Sequence, residues 1–273
     1  MTSQAPEKSS NFALGFLFLD KDQQRALSDV YAYCRIVDDI VDEGGPRPEA
    51  ERQLAFWTRE IGELFSGRPT HEVSRRLAEH IARFSLPREP FDEMIRGCRM
   101  DFDGAKYRTM EDLESYMRGV ACSVGALSVR IFRYPHPQDD FAREFGYAFQ
   151  LTNIIRDVGA DLELGRVYLP DSEIAAAGYS REKLLRREHD EAFDRLMKSL
   201  YAKAKAYYRH GRAAVDPRHR KTIMAAEVMA HIYEGLLDEI AAGGFRVLFD
   251  KHRLSKFKKA RLAARAWLYC HGF

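Results

Sequence analysis

The stretch Cys34–Glu43, CRIVDDIVDE, sets four carboxylates (Asp38, Asp39, Asp42 and Glu43) among Ile36, Val37, Ile40 and Val41. Apolar residues at this spacing belong on the buried face of a helix, and carboxylates do not. Two readings compete. The segment is an amphipathic helix with a solvated acidic face, or some of its acids point into a cavity and hold something positively charged. Helical rotation separates the acids. With Val37 at the centre of the apolar face, an advance of about 100° per residue puts Val30, Tyr33, Cys34, Ile40 and Val41 within roughly ±60° of it. Asp38 then lies about 100° and Asp42 about 140° away, in one strip with Tyr31 and Arg35. Asp39 and Glu43 are expected to turn further toward solvent.

A second segment echoes the first: YAYCRIVDDIVDE at 31–43 is matched by YAFQLTNIIRDVGAD at 147–161. Here Gln150, Asn153, Asp157 and Asp161 fall within about 80° of arc beside Tyr147, Ile154 and Val158. Arg156 is expected to point away. Like charges four residues apart on a helix repel. Two such strips facing each other would compound that cost unless cations lie between them. Carboxylate and amide oxygens at this spacing suit Mg²⁺, or Mn²⁺ in its place, with water and phosphate oxygens completing the shell. Two solvated acidic faces remain the structural alternative. The absence of HExxH and of Cys/His ligand spacing argues against zinc. No Glu-x-x-His pair on the acidic helices suggests a di-iron bundle, and no GxxxxGK[ST] loop is present.

The remainder of the 273 residues sets the frame. Hydrophobic residues make up 45% and charged residues 31%, the balance of a soluble globular chain with a substantial core. A net charge of +2 gives no argument for nucleic acid, and no such partner is expected. Cys34, Cys98, Cys122 and Cys270 show no CxxC pairing, which suggests free thiols in a reducing, cytoplasmic setting. The segment MTSQAPEKSS lacks a signal peptide's apolar core, and the longest apolar run, FALGFLFL, is too short to span a membrane. Helical periodicity predicts helices near 20–42, 50–66, 71–84, 88–103, 111–132, 138–161, 180–213, 217–242 and 246–269. Turn-forming stretches such as EGGPRPE and YPHPQ separate them, and no alternating strand pattern of useful length occurs. The fold class is therefore all-α, with one domain over 1–273.

Two Mg²⁺-binding strips in a helical bundle can grip a diphosphate and promote ionisation of an allylic carbon. The resulting carbocation needs a dry cavity with aromatic walls, and the chain has 17 Phe, 13 Tyr and 2 Trp. At these residues the sequence resembles a known family. YAYCRIVDDIVD and QLTNIIRDVGADLELGRVYLP look like the two signature regions of the squalene/phytoene synthases, the head-to-head prenyl synthases. SSNF (9–12), YMRGVACSVG (116–125) and HIYEGLLDEI (231–240) resemble further family segments. The resemblance implies an isoprenoid synthase bundle around a large central cavity, open at its metal end. It implies Asp38, Asp42, Asp157 and Asp161 as Mg²⁺ ligands, with Asn153 and Gln150 beside them. It implies Arg35, Arg166 and Ser9 as diphosphate contacts, and Tyr31, Tyr116, Tyr168 and Tyr233 as tyrosines lining the site. The N-terminal match departs from the family pattern, with Asn11 where a second serine is usual. The first signature also satisfies the DDxxD of head-to-tail prenyl synthases, whereas NxxxDxxxD argues against that class and is similar to the metal triad of terpene cyclases.

Within the family, VGALSVRIF and RDVGADLELGRVYLP look most like bacterial presqualene diphosphate synthases. The expectation is two farnesyl diphosphates to presqualene diphosphate, with NADPH needed only if the reaction proceeds to squalene. Dehydrosqualene or phytoene synthesis, terpene cyclisation and a catalytically silent binding or assembly protein are the alternatives. The terminal segment KHRLSKFKKARLAARAWLYCHGF interleaves bases with Leu254, Phe257, Leu262, Trp267 and Leu268. It reads as a solvated basic face or as a peripheral contact with an anionic membrane.

Overall fold

The structure, a computed structural model, describes residues 12–42, 45–136 and 140–272. Ser9 and Glu43 lie outside the described residues. Helices run α1 Phe12–Phe16, α2 Lys21–Asp42, α3 Arg47–Phe65, α4 Glu72–Phe84, α5 Glu89–Phe102, α6 Met110–Met117 and α7 Ser123–Ile131. They continue as α8 Phe141–Glu163, α9 Asp171–Ala176, α10 Arg181–Leu185, α11 Glu191–Ala214, α12 Met224–Ala242 and α13 Lys256–His271. No strand occurs among the described residues, so the all-α expectation holds. No helix there is long and apolar enough to cross a membrane.

Local chemistry explains where the expected helices break. The helix expected over 180–213 stops at Leu185, and Arg187 adopts φ 56°. Asp190 then caps α11 by accepting a hydrogen bond from the Phe193 amide at 2.9 Å. A side-chain cap there competes with continuation of the helix. The helix expected over 246–269 begins only at Lys256, where Ser255 accepts from the Lys258 amide. Pro217 opens a 3₁₀ segment, Pro217–Ile223, before α12. The single helix expected over 111–132 contains a π turn, Arg118–Cys122, between α6 and α7.

Buried side chains form two clusters. One packs α2–α5 and the α7 residues Leu127 and Ile131 around Tyr33, Trp57 and Phe91. The other packs α8, α11 and α12 around Phe141, Phe193 and Tyr208. The π turn meets α5 backbone to backbone, since a Cβ on Gly119 would lie 2.7 Å from the Gly97 Cα. This approach fixes Tyr116 and Val120 on the wall of the central cavity. All four cysteines are free and buried. Burial pushes the Cys34 thiol up to about 12.

Candidate active site

A cavity of about 490 Å³ opens among α2, α5, α7, α8 and α12. Its deep part is lined by Phe132, Phe141, Phe145 and Phe149, with Val124, Val129, Met94 and Met229. Phe149 stacks on Phe145, centroids 5.9 Å apart, and meets the Tyr233 ring at 5.3 Å. Its polar end is lined from the carboxyl-terminal halves of α2 and α8. Every described residue named above as a metal-ligand, diphosphate-contact or site-tyrosine candidate lines this one cavity. From α2 come Tyr31, Arg35, Asp38 and Asp42; from α8 come Gln150, Asn153, Asp157 and Asp161. Tyr116, Arg166, Tyr168 and Tyr233 complete the set.

The chain beyond α8 explains how Arg166 gets there. Gly165 takes φ 72°, a conformation that strains a side chain, and the Arg166 amide then donates back to the Asp161 carbonyl at 2.8 Å. This hairpin sends the Arg166 guanidinium across to α2, where Nη1 meets the Asp42 carboxylate at 2.5 Å and Nη2 donates to the Val41 carbonyl. On α2 itself, Arg35 pairs with Asp38 at 3.3 Å and with Asp39. Asp39 does not line the cavity, in keeping with its rotation.

Arg156 is a correction. Its Cα direction points away, but the side chain curls back to line the cavity and grips the neighbouring Asp157 with both Nε, at 2.8 Å, and Nη2. Asp101 was not expected from the sequence. It lines the cavity and accepts a hydrogen bond from the Tyr116 hydroxyl at 2.8 Å. The Tyr116 and Tyr168 rings stack at 5.1 Å, and Tyr107 lies 5.5 and 5.8 Å from them. The sequence carried a signal for Asp101. It falls on the stripe of α5 that Phe91, Met94, Ile95 and Cys98 bury.

The electrostatics of the polar end are unfavourable as they stand. Burial, then the charge of Asp42, pushes Asp38 up to about 6. Burial, then the charge of Asp157, pushes Asp161 up to about 7. Asp101 is raised by burial as well and adds to the negative field at both. Tyr116 and Tyr168 are held well above the usual phenol range by burial and by Asp101, so both stay protonated. The Asn153 Oδ1 is buried and accepts no hydrogen bond. Hard oxygen donors only, crowded carboxylates and an orphaned amide oxygen are the donor set that suits a hard divalent cation. Outside the cavity, His136, Asp216 and His219 bring ligand atoms within 4.8 Å of one another. There, however, the Asp216 carboxylate is already chelated by the Arg218 guanidinium.

The family model described as squalene/phytoene synthase matches residues 5–261. The phytoene synthase of Thermus thermophilus is 35% identical over 95% of this chain and 89% of its own length. The 15-cis-phytoene synthase of Synechocystis is 30% identical over 95% and 81%. A chloroplastic phytoene synthase of an Oncidium hybrid cultivar is 31% identical, and the chain spans 63% of that protein's length. Among solved structures, a dehydrosqualene synthase superposes with a TM-score of 0.86 at 28% identity, covering 98% of this chain and 94% of that one. Squalene synthase HpnC from Alicyclobacillus acidocaldarius gives 0.77 at 29% identity, over 86% and 89%.

Proposed function

Because the chain belongs to the squalene/phytoene synthase family, we propose that it joins two prenyl diphosphates head to head. The observation that carries this reading is that the α2 and α8 carboxylates line one cavity together with Phe132, Phe141, Phe145 and Phe149. Asp38, Asp42, Asn153, Asp157 and Asp161 would hold Mg²⁺, or Mn²⁺, and Gln150 would steady Asn153, whose amide donates to it at 3.4 Å. When bound, the metal neutralises charge on a diphosphate leaving group.

The protein's own groups supply the rest. Arg35 and Arg166 lie at the polar end, where guanidinium donors match phosphate oxygens. Tyr116 and Tyr168 carry protonated hydroxyls and so act as donors. Their rings, with those of Tyr31 and Tyr233, line the cavity. Ionisation of one allylic diphosphate, attack by the double bond of the second chain and loss of one proton give a cyclopropylcarbinyl diphosphate. The Phe-lined interior excludes water from the cation, and ring faces stabilise it.

For the substrate we favour two farnesyl diphosphates giving presqualene diphosphate. The structural likeness to a dehydrosqualene synthase and a squalene synthase supports this choice. A phytoene synthase is the second reading, favoured by the names of the sequence relatives. NADPH enters only if the product is carried on to squalene. The test is incubation with farnesyl or geranylgeranyl diphosphate, with and without Mg²⁺ and NADPH, followed by mass spectrometry. A product holding both chains is expected. A product retaining one chain would replace this reading with a cyclase, and no diphosphate release from either substrate would leave a silent relative.

A further inference from the structure

We propose that the outer face of α13, together with Phe249, is a docking surface for an anionic phospholipid bilayer. Eight large apolar side chains are exposed among the described residues, and four of them, Phe249, Phe257, Trp267 and Leu268, fall within one stretch of twenty. Past Asp250, which the Arg246 guanidinium pairs at 2.8 Å, the stretch is one-signed. From Lys251 to Phe273 there are seven Lys and Arg residues and no Asp or Glu.

The packing of α13 fixes which side faces out. Ala266 and Cys270 are buried, and Leu262 sits on α12 where Gly235 leaves room; a Cβ on Gly235 would lie 2.6 Å from Leu262 Cδ1. Tyr269 meets His231 at 6.0 Å, and Lys258 binds Glu239 at 2.7 Å, so α13 runs antiparallel to α12 and cannot roll. At about 100° per residue, Phe257 and Leu268 then lie within about 20° of each other on the exposed side. Exposed Arg261 and Arg265 flank that line on one edge, and Trp267 and Lys256 flank the other. An apolar line with basic edges is the pattern of a helix lying in the plane of a lipid interface. Positive charge without acids selects anionic headgroups over neutral ones.

The location gives the contact a use. The segment entering α13 touches the last turns of α8, where the Gly159 amide donates to the Val247 carbonyl at 3.1 Å. Phe249 is two residues further on. The start of the docking face therefore lies at the carboxylate end of the cavity. A bilayer held there stands beside the end through which molecules with long apolar chains would pass.

Vesicle co-sedimentation tests the surface without reference to turnover. Vesicles with about 30 mol% phosphatidylglycerol should bind the protein at least tenfold more strongly than pure phosphatidylcholine, and high salt should reverse most of this. Trp267 should shift its emission to the blue on binding, while buried Trp57 contributes a constant background. Phe257→Ser with Leu268→Ser, and separately Arg261→Ser with Arg265→Ser, should each cut binding about tenfold or more at unchanged melting temperature. Equal binding to neutral vesicles, absence of binding, or wild-type binding by both double variants would overturn the proposal. So would heparin binding that displaces nothing from vesicles and depends on the arginines alone. Should the serine pair melt lower, the arginine pair, wholly on exposed positions, decides.

Discussion

Asp161→Asn should make the metal-free protein more stable, against the usual effect of changing a cavity residue. Asp161 has a folded-state pKa near 7 against an ordinary value of 3.8, because it is buried beside Asp157. The folded chain therefore holds this proton more tightly than the unfolded chain does. Stability is lost as pH rises from about 4 to about 7 and is flat above that. The full shift corresponds to about 4 kcal/mol of cost at pH 8. Partial solvent access and coupling to Asp157 reduce the expected gain to about 2 kcal/mol, or about 5 °C in melting temperature. Thermal melts in EDTA at pH 5 and pH 8 measure it. The variant should melt higher than wild type at pH 8 and by distinctly less at pH 5, where only part of the loss has accrued. Millimolar Mg²⁺ should raise the wild-type melting temperature at pH 8 and move the variant much less. A variant that melts lower than wild type at pH 8 in EDTA would refute the reasoning, because the carboxylate would then be a stabilising partner.

Other perturbations read different parts of the molecule. Asp38→Ala should lower turnover on the order of 10³-fold or more while the EDTA melt holds or rises, as steady-state kinetics and calorimetry would show. Asp157→Ala should lose turnover equally but melt slightly lower, since it strips Arg156 of its carboxylate partner. Gly119→Ala drives a methyl against the Gly97 backbone and should cost about 2–3 kcal/mol in urea unfolding. Buried Glu60 accepts from the Thr70 and His71 amides, each at 2.8 Å, which hold its carboxyl below the ordinary value despite burial. Its contribution is present above the unfolded value, near 4.5, and lost as pH falls through the folded one; Glu60→Gln should remove about 1–2 kcal/mol at pH 7 and flatten that part of the acid unfolding curve. None of the four cysteines should react with iodoacetamide in the native state, and all four should react in denaturant, as mass spectrometry would count.

Much of the site was legible because it rests on helix rotation. Asp38 and Asp42, and Asn153, Asp157 and Asp161, lie on long uninterrupted helices, where sequence spacing fixes direction. Asp101 escaped because a single carboxylate on an apolar stripe forms no pattern with its own helix. Its partners, Tyr116 and Tyr168, come from distant segments. Arg156 misled for a different reason. Rotation sets where a Cβ starts, and a long guanidinium arm can return to the carboxylate next door. The breaks at 186–190 and 246–255 were hidden because amphipathic periodicity runs on past them, while one capping side chain at Asp190 or Ser255 resets the helix. The depth of the cavity was not legible at all, since Phe132, Phe141, Phe145 and Phe149 reach it only through tertiary packing.

The arginine–aspartate pairs at the cavity mouth bear on how ligands bind. Arg35, Arg156 and Arg166 are internal counter-ions, each occupied with a carboxylate of the same site. Each carboxylate that turns to a divalent cation releases a guanidinium, and each guanidinium that turns to an anion releases a carboxylate. On this proposal the two ligands recruit one another, and linkage requires the gain to be equal in both directions. Metal alone or diphosphate alone must first break standing ion pairs, so each should bind less tightly than the two together. Together they exchange partners without leaving any charge uncovered, so the site answers to the pair.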